Sequence, residues 1–317
     1  MMIEAHGLVR KYGDNVAVKG LDLNVDNEIY ALLGPNGSGK TTTVNMLTGM
    51  LKITEGSASV CGFDVQKDSA KVRECISYVP QDMAVDIRLT GRENVELFAK
   101  LYGIRDRAER KKRVNDVLEI MNLTDRADER TKKYSGGMRR RLELAQALVH
   151  DPKVLFLDEP TVGLDVASRR SIWEYIVKLR DSGVTVFVTT HQMDEAERYC
   201  DRVGILKKGI LTEEGRPSDL TSDMDSIITV RTDGGIPSVL PEGVKAVEYK
   251  DGMATFTSAD GPSSLPGLMG CYEKENIKVF SSSVREPTLE DVYMLSVGPQ
   301  DERSFNDRQF RNIMERR

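Results

Sequence analysis

The sequence predicts an α/β fold built around a mainly parallel sheet, with a small α+β domain after it. Two observations lead there. Strand-like and helix-like patterns alternate through the first 220 residues, and several apolar runs suit strands buried on both faces. Beyond residue 220 Gly and Pro cluster at Asp233–Pro237 and Asp260–Pro262, between short alternating runs such as Ala246–Tyr249. A chain of 317 residues also exceeds what one hydrophobic core usually serves. Domains are therefore expected over residues 1–220 and 221–297, and the highly charged stretch 298–317 is expected as a frayed helix or disordered tail.

The elements follow from local pattern. Leu21–Val25 alternates apolar and polar, as a half-exposed strand does, and Ser57–Cys61 and Cys75–Val79 read the same way. Glu28–Leu33 is a short apolar run and predicts a buried strand. Thr41–Leu51 predicts a helix, with Val44, Leu47 and Leu51 at helical spacing. Gly91–Asn122, rich in Leu, Glu, Lys and Arg, predicts consecutive helices broken near Gly103. Arg139–Arg141 reads as a solvated helix face. Val154–Leu157 and Val184–Val188 predict buried strands of the parallel sheet. Near the end, Pro287–Tyr293 reads as a helix start, with Thr288 as N-cap and Asp291 three residues on.

Composition narrows the class. Charged residues at 30% against 39% apolar suit a soluble globular protein, and a net charge of −5 argues against a strongly basic nucleic-acid surface. No run of about 20 apolar residues exists to span a bilayer, and Met1–His6 lacks the apolar core of a signal peptide. Cys61, Cys75, Cys200 and Cys271 show no Cys-x-x-Cys spacing, so zinc and disulfide frameworks are not expected and a reducing cytoplasm is.

The chemistry starts at Gly34-Pro35-Asn36-Gly37-Ser38-Gly39-Lys40-Thr41, a complete phosphate-binding loop between the Glu28–Leu33 strand and the following helix. Glycines let the backbone approach phosphates, and the helix start aims N–H groups and a positive dipole at one point. Lys40 is expected to reach the β- and γ-phosphates of ATP, the Thr41 hydroxyl to ligate Mg²⁺, and Thr42 to join the nucleotide contacts. Asp158, ending the Val154–Leu157 run, stands where a second magnesium residue belongs. Glu159 is the candidate general base, turned to the γ-phosphate side by strand alternation. Tyr134-Ser-Gly-Gly-Met138 adds a second anion site, with Ser135 capping a helix that begins at Met138 and Gly136 and Gly137 opening its backbone.

Taken together, these motifs resemble the ATP-binding subunit of an ABC transporter over residues 2–220. The resemblance implies a P-loop NTPase core with antiparallel β and helical subdomains. It also implies a homodimer in which each ATP lies between one chain's phosphate loop and the other's Ser135, Gly136 and Gly137. The 134–138 segment departs from the commoner Leu-Ser-Gly-Gly-Gln at Tyr134 and Met138. On the matching positions, Tyr12 stacks on adenine, and Gln81 meets Mg²⁺ and the attacking water. Asp165 couples the two sites, and His191 contacts the γ-phosphate. The partner implied is a separate transmembrane permease, docked on the helical region 91–122, with this chain peripheral on the cytoplasmic side and no nucleic acid involved. Tyr134–Glu143, Leu89–Asn94 and Glu286–Tyr293 resemble the daunorubicin-resistance type of drug exporter in particular. The rival expectation is a mechanical or regulatory ATPase of the same superfamily acting on a soluble macromolecule.

Overall fold

The computed structural model describes residues 1–82 and 84–297, so the expected tail at 298–317 lies outside the described residues. Two compact units divide most of it, Met1–Pro217 and Ser218–Leu295.

In the first unit the chain runs β1 (Ile3–Tyr12), β2 (Asn15–Val25), β3 (Ile29–Leu33), α1 (Lys40–Leu47), β4 (Glu55–Val60), β5 (Phe63–Asp64), α2 (Ser69–Cys75) and β6 (Ile76–Val79). It continues through α3 (Gly91–Leu101), α4 (Arg107–Ile120), α5 (Gly136–Leu148), β7 (Val154–Asp158), α6 (Val166–Asp181), β8 (Thr185–Thr190), α7 (Met193–Tyr199), β9 (Arg202–Lys207) and β10 (Ile210–Gly215). Six strands form the central sheet in the order β10-β9-β3-β8-β7-β6, parallel except for the β10 edge. Every residue of β3, β7 and β8 is buried, as the apolar runs require of strands covered on both faces. Tyr30 and Phe156 both pack on Phe187 at the heart of this core, with ring centroids 5.3 and 5.6 Å away.

A second, antiparallel sheet has the order β2-β1-β4-β5, and its buried Ile3, Leu8, Leu23 and Val60 share a core with Val44 and Leu47 of α1. The helical region holds α3 and α4 on either side of Gly103, whose φ of 81° breaks the run.

Two elements depart from the sequence reading. The helix expected over Thr41–Leu51 ends at Leu47, because the Thr48 hydroxyl turns back on the Val44 carbonyl at 2.9 Å and Gly49 takes a φ of 70°. Cys75–Val79, read as half-exposed, is the last turn of α2 followed by β6, whose Ile76, Ser77 and Val79 are buried in the central sheet. The serine that mimics a polar face there donates to the Ala147 carbonyl at 2.5 Å.

After α8 (Pro217–Thr221) the second unit contains β11 (Ser226–Thr232), β12 (Val244–Lys250), β13 (Met253–Ser258), α9 (Gly261–Lys274), β14 (Val279–Arg285) and most of α10 (Leu289–Val297). Its antiparallel sheet runs β12-β13-β11-β14, and Leu268 and Tyr272 of α9 cover Ile228, Val230 and Phe256. β12 is an edge strand with an irregular register between Ala246 and Glu248. At α10 the expected cap is present in part: Thr288 N–H and hydroxyl both donate to Asp291 Oδ2, at 2.8 and 2.9 Å.

Candidate active site

The carboxyl ends of three neighbouring parallel strands build the site. Leu33 at the end of β3 lies opposite Thr190 of β8, and Thr189 lies opposite Asp158 of β7. The phosphate loop, His191 and the Asp158–Glu159 pair therefore leave the sheet along one edge, the usual crevice of such folds.

Within the loop, Gly39 is the N-cap of α1 with a φ of 110°, and no side chain caps that helix. Its first-turn N–H groups and positive end thus face the loop. Lys40 is buried and donates from Nζ to the carbonyls of Gly34 at 2.8 Å and Pro35 at 3.3 Å. Its ammonium stands 3.5 Å from Glu159 Oε1. Burial holds the Lys40 pKa below its ordinary value, with Glu159 and Asp158 opposing that shift. Ser38 is buried as well, and its Oγ has no hydrogen-bond partner among the described residues.

Asp158 is 2% exposed, and each carboxylate oxygen has a hydroxyl donor: Thr41 Oγ1 to Oδ2 at 2.9 Å, and Thr189 Oγ1 to Oδ1. The nearby Tyr78 hydroxyl is pushed up to about 12, first by burial and then by the Asp158 charge.

Glu159 has a φ of 49°, rare for a residue with a side chain. Its N–H is held by the Thr189 carbonyl at 3.0 Å and hydroxyl at 3.2 Å. The expected cause of its orientation, strand alternation, does not apply: β7 stops at Asp158, and the left-handed backbone turns the carboxylate instead. One oxygen faces Lys40, and the other lies 2.7 Å from His191 Nδ1.

A cleft of about 300 Å³ opens above these groups, lined by Tyr12, Asn15, Ala17, Asn36, Gly37, Gly39, Lys40, Thr41, Thr42, Gln81 and Glu159. Gly34, Pro35 and Ser38 form the inner bend of the same loop, and His191 joins through Glu159. Tyr12 is half-exposed, with the Arg10 guanidinium 4.5 Å from its ring centre. Gln81 is exposed at the rim.

Ser135, Gly136, Gly137 and Asp165 are not brought to this cleft. α5 starts at Gly136, two residues before the expected Met138, because Ser135 Oγ accepts the Met138 N–H at 3.2 Å. Asp165 caps α6 in the same manner, accepting from Ser168 N–H at 3.0 Å and from its hydroxyl at 2.6 Å. Those bonds hold the exposed Asp165 carboxyl below its ordinary pKa. The two helix starts pack together at Gly137, where an added Cβ would stand 2.9 Å from Ser168 Cβ.

Sequence reasoning missed Thr189, which holds both Asp158 and Glu159; the signal available was the change from Val to Thr-Thr at the end of β8. It also misread Arg140. Arg139 and Arg141 are partly exposed, but the helical turn points Arg140 inward, where it is 3% exposed and paired with Glu143 at 2.9 Å.

The fold and this site define a nucleotide-hydrolysing cassette, and the ABC transporter family matches residues 18–162. With the long matches that follow, the chain belongs to the ATP-binding proteins of that family, and it is an ATPase. It is 37% identical over 315 residues to the daunorubicin/doxorubicin resistance ATP-binding protein DrrA of Streptomyces peucetius, covering 96% of this chain and 95% of that one. It is 40% identical over 307 residues to the Nod factor export ATP-binding protein I of Burkholderia orbicola, covering 93% and 97%. Among solved structures, the dimeric bacterial ABC transporter cassette MJ0796 superposes with a TM-score of 0.61 at 30% identity, over 68% of this chain and 98% of that one.

Proposed function

We propose that this chain is the ATP-hydrolysing subunit of an exporter, closing on ATP as a homodimer and driving a separate transmembrane permease from the cytoplasmic side of the membrane. The observation that carries this reading is the division of the site. Lys40, Thr41, Asp158, Glu159 and His191 converge on one cleft, whereas Ser135–Gly137 and Asp165 sit at two helix starts away from it, with Ser135, Gly136 and Asp165 exposed. A second copy related by a two-fold axis supplies the missing half to each cleft. The dimeric form of the similar cassette supports that arrangement. The permease carries the membrane path and docks on the helical region 91–122; among the described residues no helix of this chain is long and apolar enough to cross a membrane. The names of the similar proteins, resistance to daunorubicin and export of Nod factor, support export of a drug-like or lipophilic cargo. No nucleic acid takes part in this reading. Residues 1–220 act as the cassette and 221–297 as an accessory domain.

In this mechanism Lys40 and the N–H groups of residues 36–42 hold the phosphates, Tyr12 stacks on adenine, and the helix start at the partner copy's signature segment, residues 134–138, meets the γ-phosphate with its positive end. Thr41, Asp158 and Gln81 would hold Mg²⁺: an all-oxygen set with one carboxylate and one hydroxyl, 2.9 Å apart, suits a small hard cation arriving with phosphates. The ion supplies charge neutralisation on the phosphate oxygens. Glu159 takes the proton of the attacking water. His191, on its other oxygen, orients that carboxylate and reaches toward the γ-phosphate. Asp165, hydrogen-bonded at the helix start that packs on Gly137, relays closure between the two sites.

Glu159→Gln tests the reading. Turnover should drop by about 10²–10⁴-fold while ATP holds the variant as a stable dimer in sedimentation experiments. Near-normal hydrolysis removes Glu159 as the base, and a strictly monomeric ATP-bound variant removes the shared site.

A further inference from the structure

One turn of α5 carries an ion pair that touches three parts of the site at once. Arg140 Nη1 lies 2.9 Å from Glu143 Oε2, with the side chains only 4% and 3% exposed. The guanidinium spends its remaining bonds on backbone carbonyls. Nε donates to Pro160 at 2.9 Å, Nη1 to Pro80 at 2.9 Å and Nη2 to Asp158 at 3.3 Å. Glu143 Oε1 accepts the Ala84 N–H at 2.6 Å. Pro80 and Ala84 lie on the two sides of Gln81, and Asp158 and Pro160 lie on the two sides of Glu159. A single guanidinium–carboxylate unit thus grips the backbone before and after both residues, from the helix that begins at the signature.

The ion pair itself contributes little to stability, because desolvating two charges largely offsets their attraction; what it supplies is partners for four backbone groups beside the site. Only the fixed fork of an arginine can hold three carbonyls and a carboxylate together; a lysine offers one point charge in their place. Neither residue lines the cleft, so the pair acts through others.

We propose that Arg140 and Glu143 are the positioning pair of the hydrolytic site, setting Gln81 against Glu159 and tying both to the helix start offered to the second copy. This rests on the roles given above to Gln81, Glu159 and Ser135. The Arg140→Met/Glu143→Leu double variant of the full chain removes both charges together and leaves none unpaired. Its melting temperature should fall, because the Pro80, Asp158 and Pro160 carbonyls and the Ala84 N–H lose their partners, while nucleotide affinity should stay near the parent's. Its kcat should fall by about 10²-fold while KM moves less than about threefold, the split expected when geometry rather than binding is lost. Arg140→Lys, which keeps the charge without the fork, should not restore turnover. Glu143→Gln, which sets an NH2 donor against either the Ala84 N–H or the Arg140 guanidinium, should lose about tenfold in kcat and decides the matter if the double variant does not fold.

A folded variant with the parent's kcat overturns the proposal, and so does a parallel loss of kcat and nucleotide affinity, the mark of general damage. Glu159→Gln, run alongside, separates the two layers. If it traps the ATP dimer while the double variant turns over normally, only the pair is refuted; if it traps no dimer, the shared-site reading has failed.

Discussion

The two halves of the proposed nucleotide site are built on opposite terms. The phosphate-loop half is interior: Lys40, Asp158 and Glu159 are each no more than 6% exposed and are held by an ion pair and by hydroxyl donors from α1 and β8. The signature half is exterior. Ser135, Gly136 and Asp165 are exposed, and what they present is the start of a helix rather than a charged side-chain cluster. Strong local charges need burial and partners to be positioned. A helix terminus carries its partial charge without side chains, so it can wait at the surface for a ligand held by another molecule. On the proposed reading, the contrast lets one chain carry two complementary surfaces, each completed by a second copy.

Three substitutions break or sharpen that contrast. The largest effect is expected from Ser135→Arg, which removes the cap and fills the exposed helix start. ATP-driven dimerisation in the Glu159→Gln background should vanish, and turnover of the parent should fall by at least about 10²-fold, with nucleotide binding to each chain retained. A dimer that forms as before would show that the exposed half is not an interface.

Gly137→Ala comes next. Its Cβ would meet Ser168, which cannot swing away while Asp165 holds its hydroxyl, so a loss of about 1–3 kcal/mol is expected in chemical denaturation. Gly136→Ala is the matched control. The nearest atom to its Cβ is Leu164 Cδ2 at 3.7 Å, so stability should hold or rise by up to about 1 kcal/mol. Equal losses at both positions would contradict the helix-start packing.

Smallest is Tyr134→Phe. The ring is buried, and its hydroxyl donates to the Arg126 carbonyl at 2.7 Å, anchoring the signature to the helical region. Losing that bond should cost about 1 kcal/mol in melting experiments with little change in nucleotide affinity. This contact also gives the departure from leucine at position 134 a structural reason, for Gly91 leaves the room that the larger ring occupies.

Much of the site was legible because its motifs are local. The 34–41 loop, the acid at the end of β7 and the serine before α5 each occupy a few consecutive residues whose backbone chemistry follows from their own identities. The same holds for the buried strands, whose apolar runs declare two covered faces. Where reading failed, the deciding partner was remote. Ser77 looks like the polar face of a surface strand until Ala147, 70 residues away, accepts its hydroxyl. Arg140 looks like one of three solvated arginines until Pro80 and Pro160 surround it.

The sequence by itself therefore determined the alternation of strands and helices it named, the phosphate loop, and the identities of the groups proposed to meet ATP. Tertiary structure alone decided which of those groups share a cleft, that Glu159 is turned by a left-handed backbone held to Thr189, and that an arginine in a charged run is a buried clamp. The physical reason is range: backbone preference and hydrophobic period act over a few residues, whereas burial and hydrogen-bond partnership are set by segments that only folding brings together.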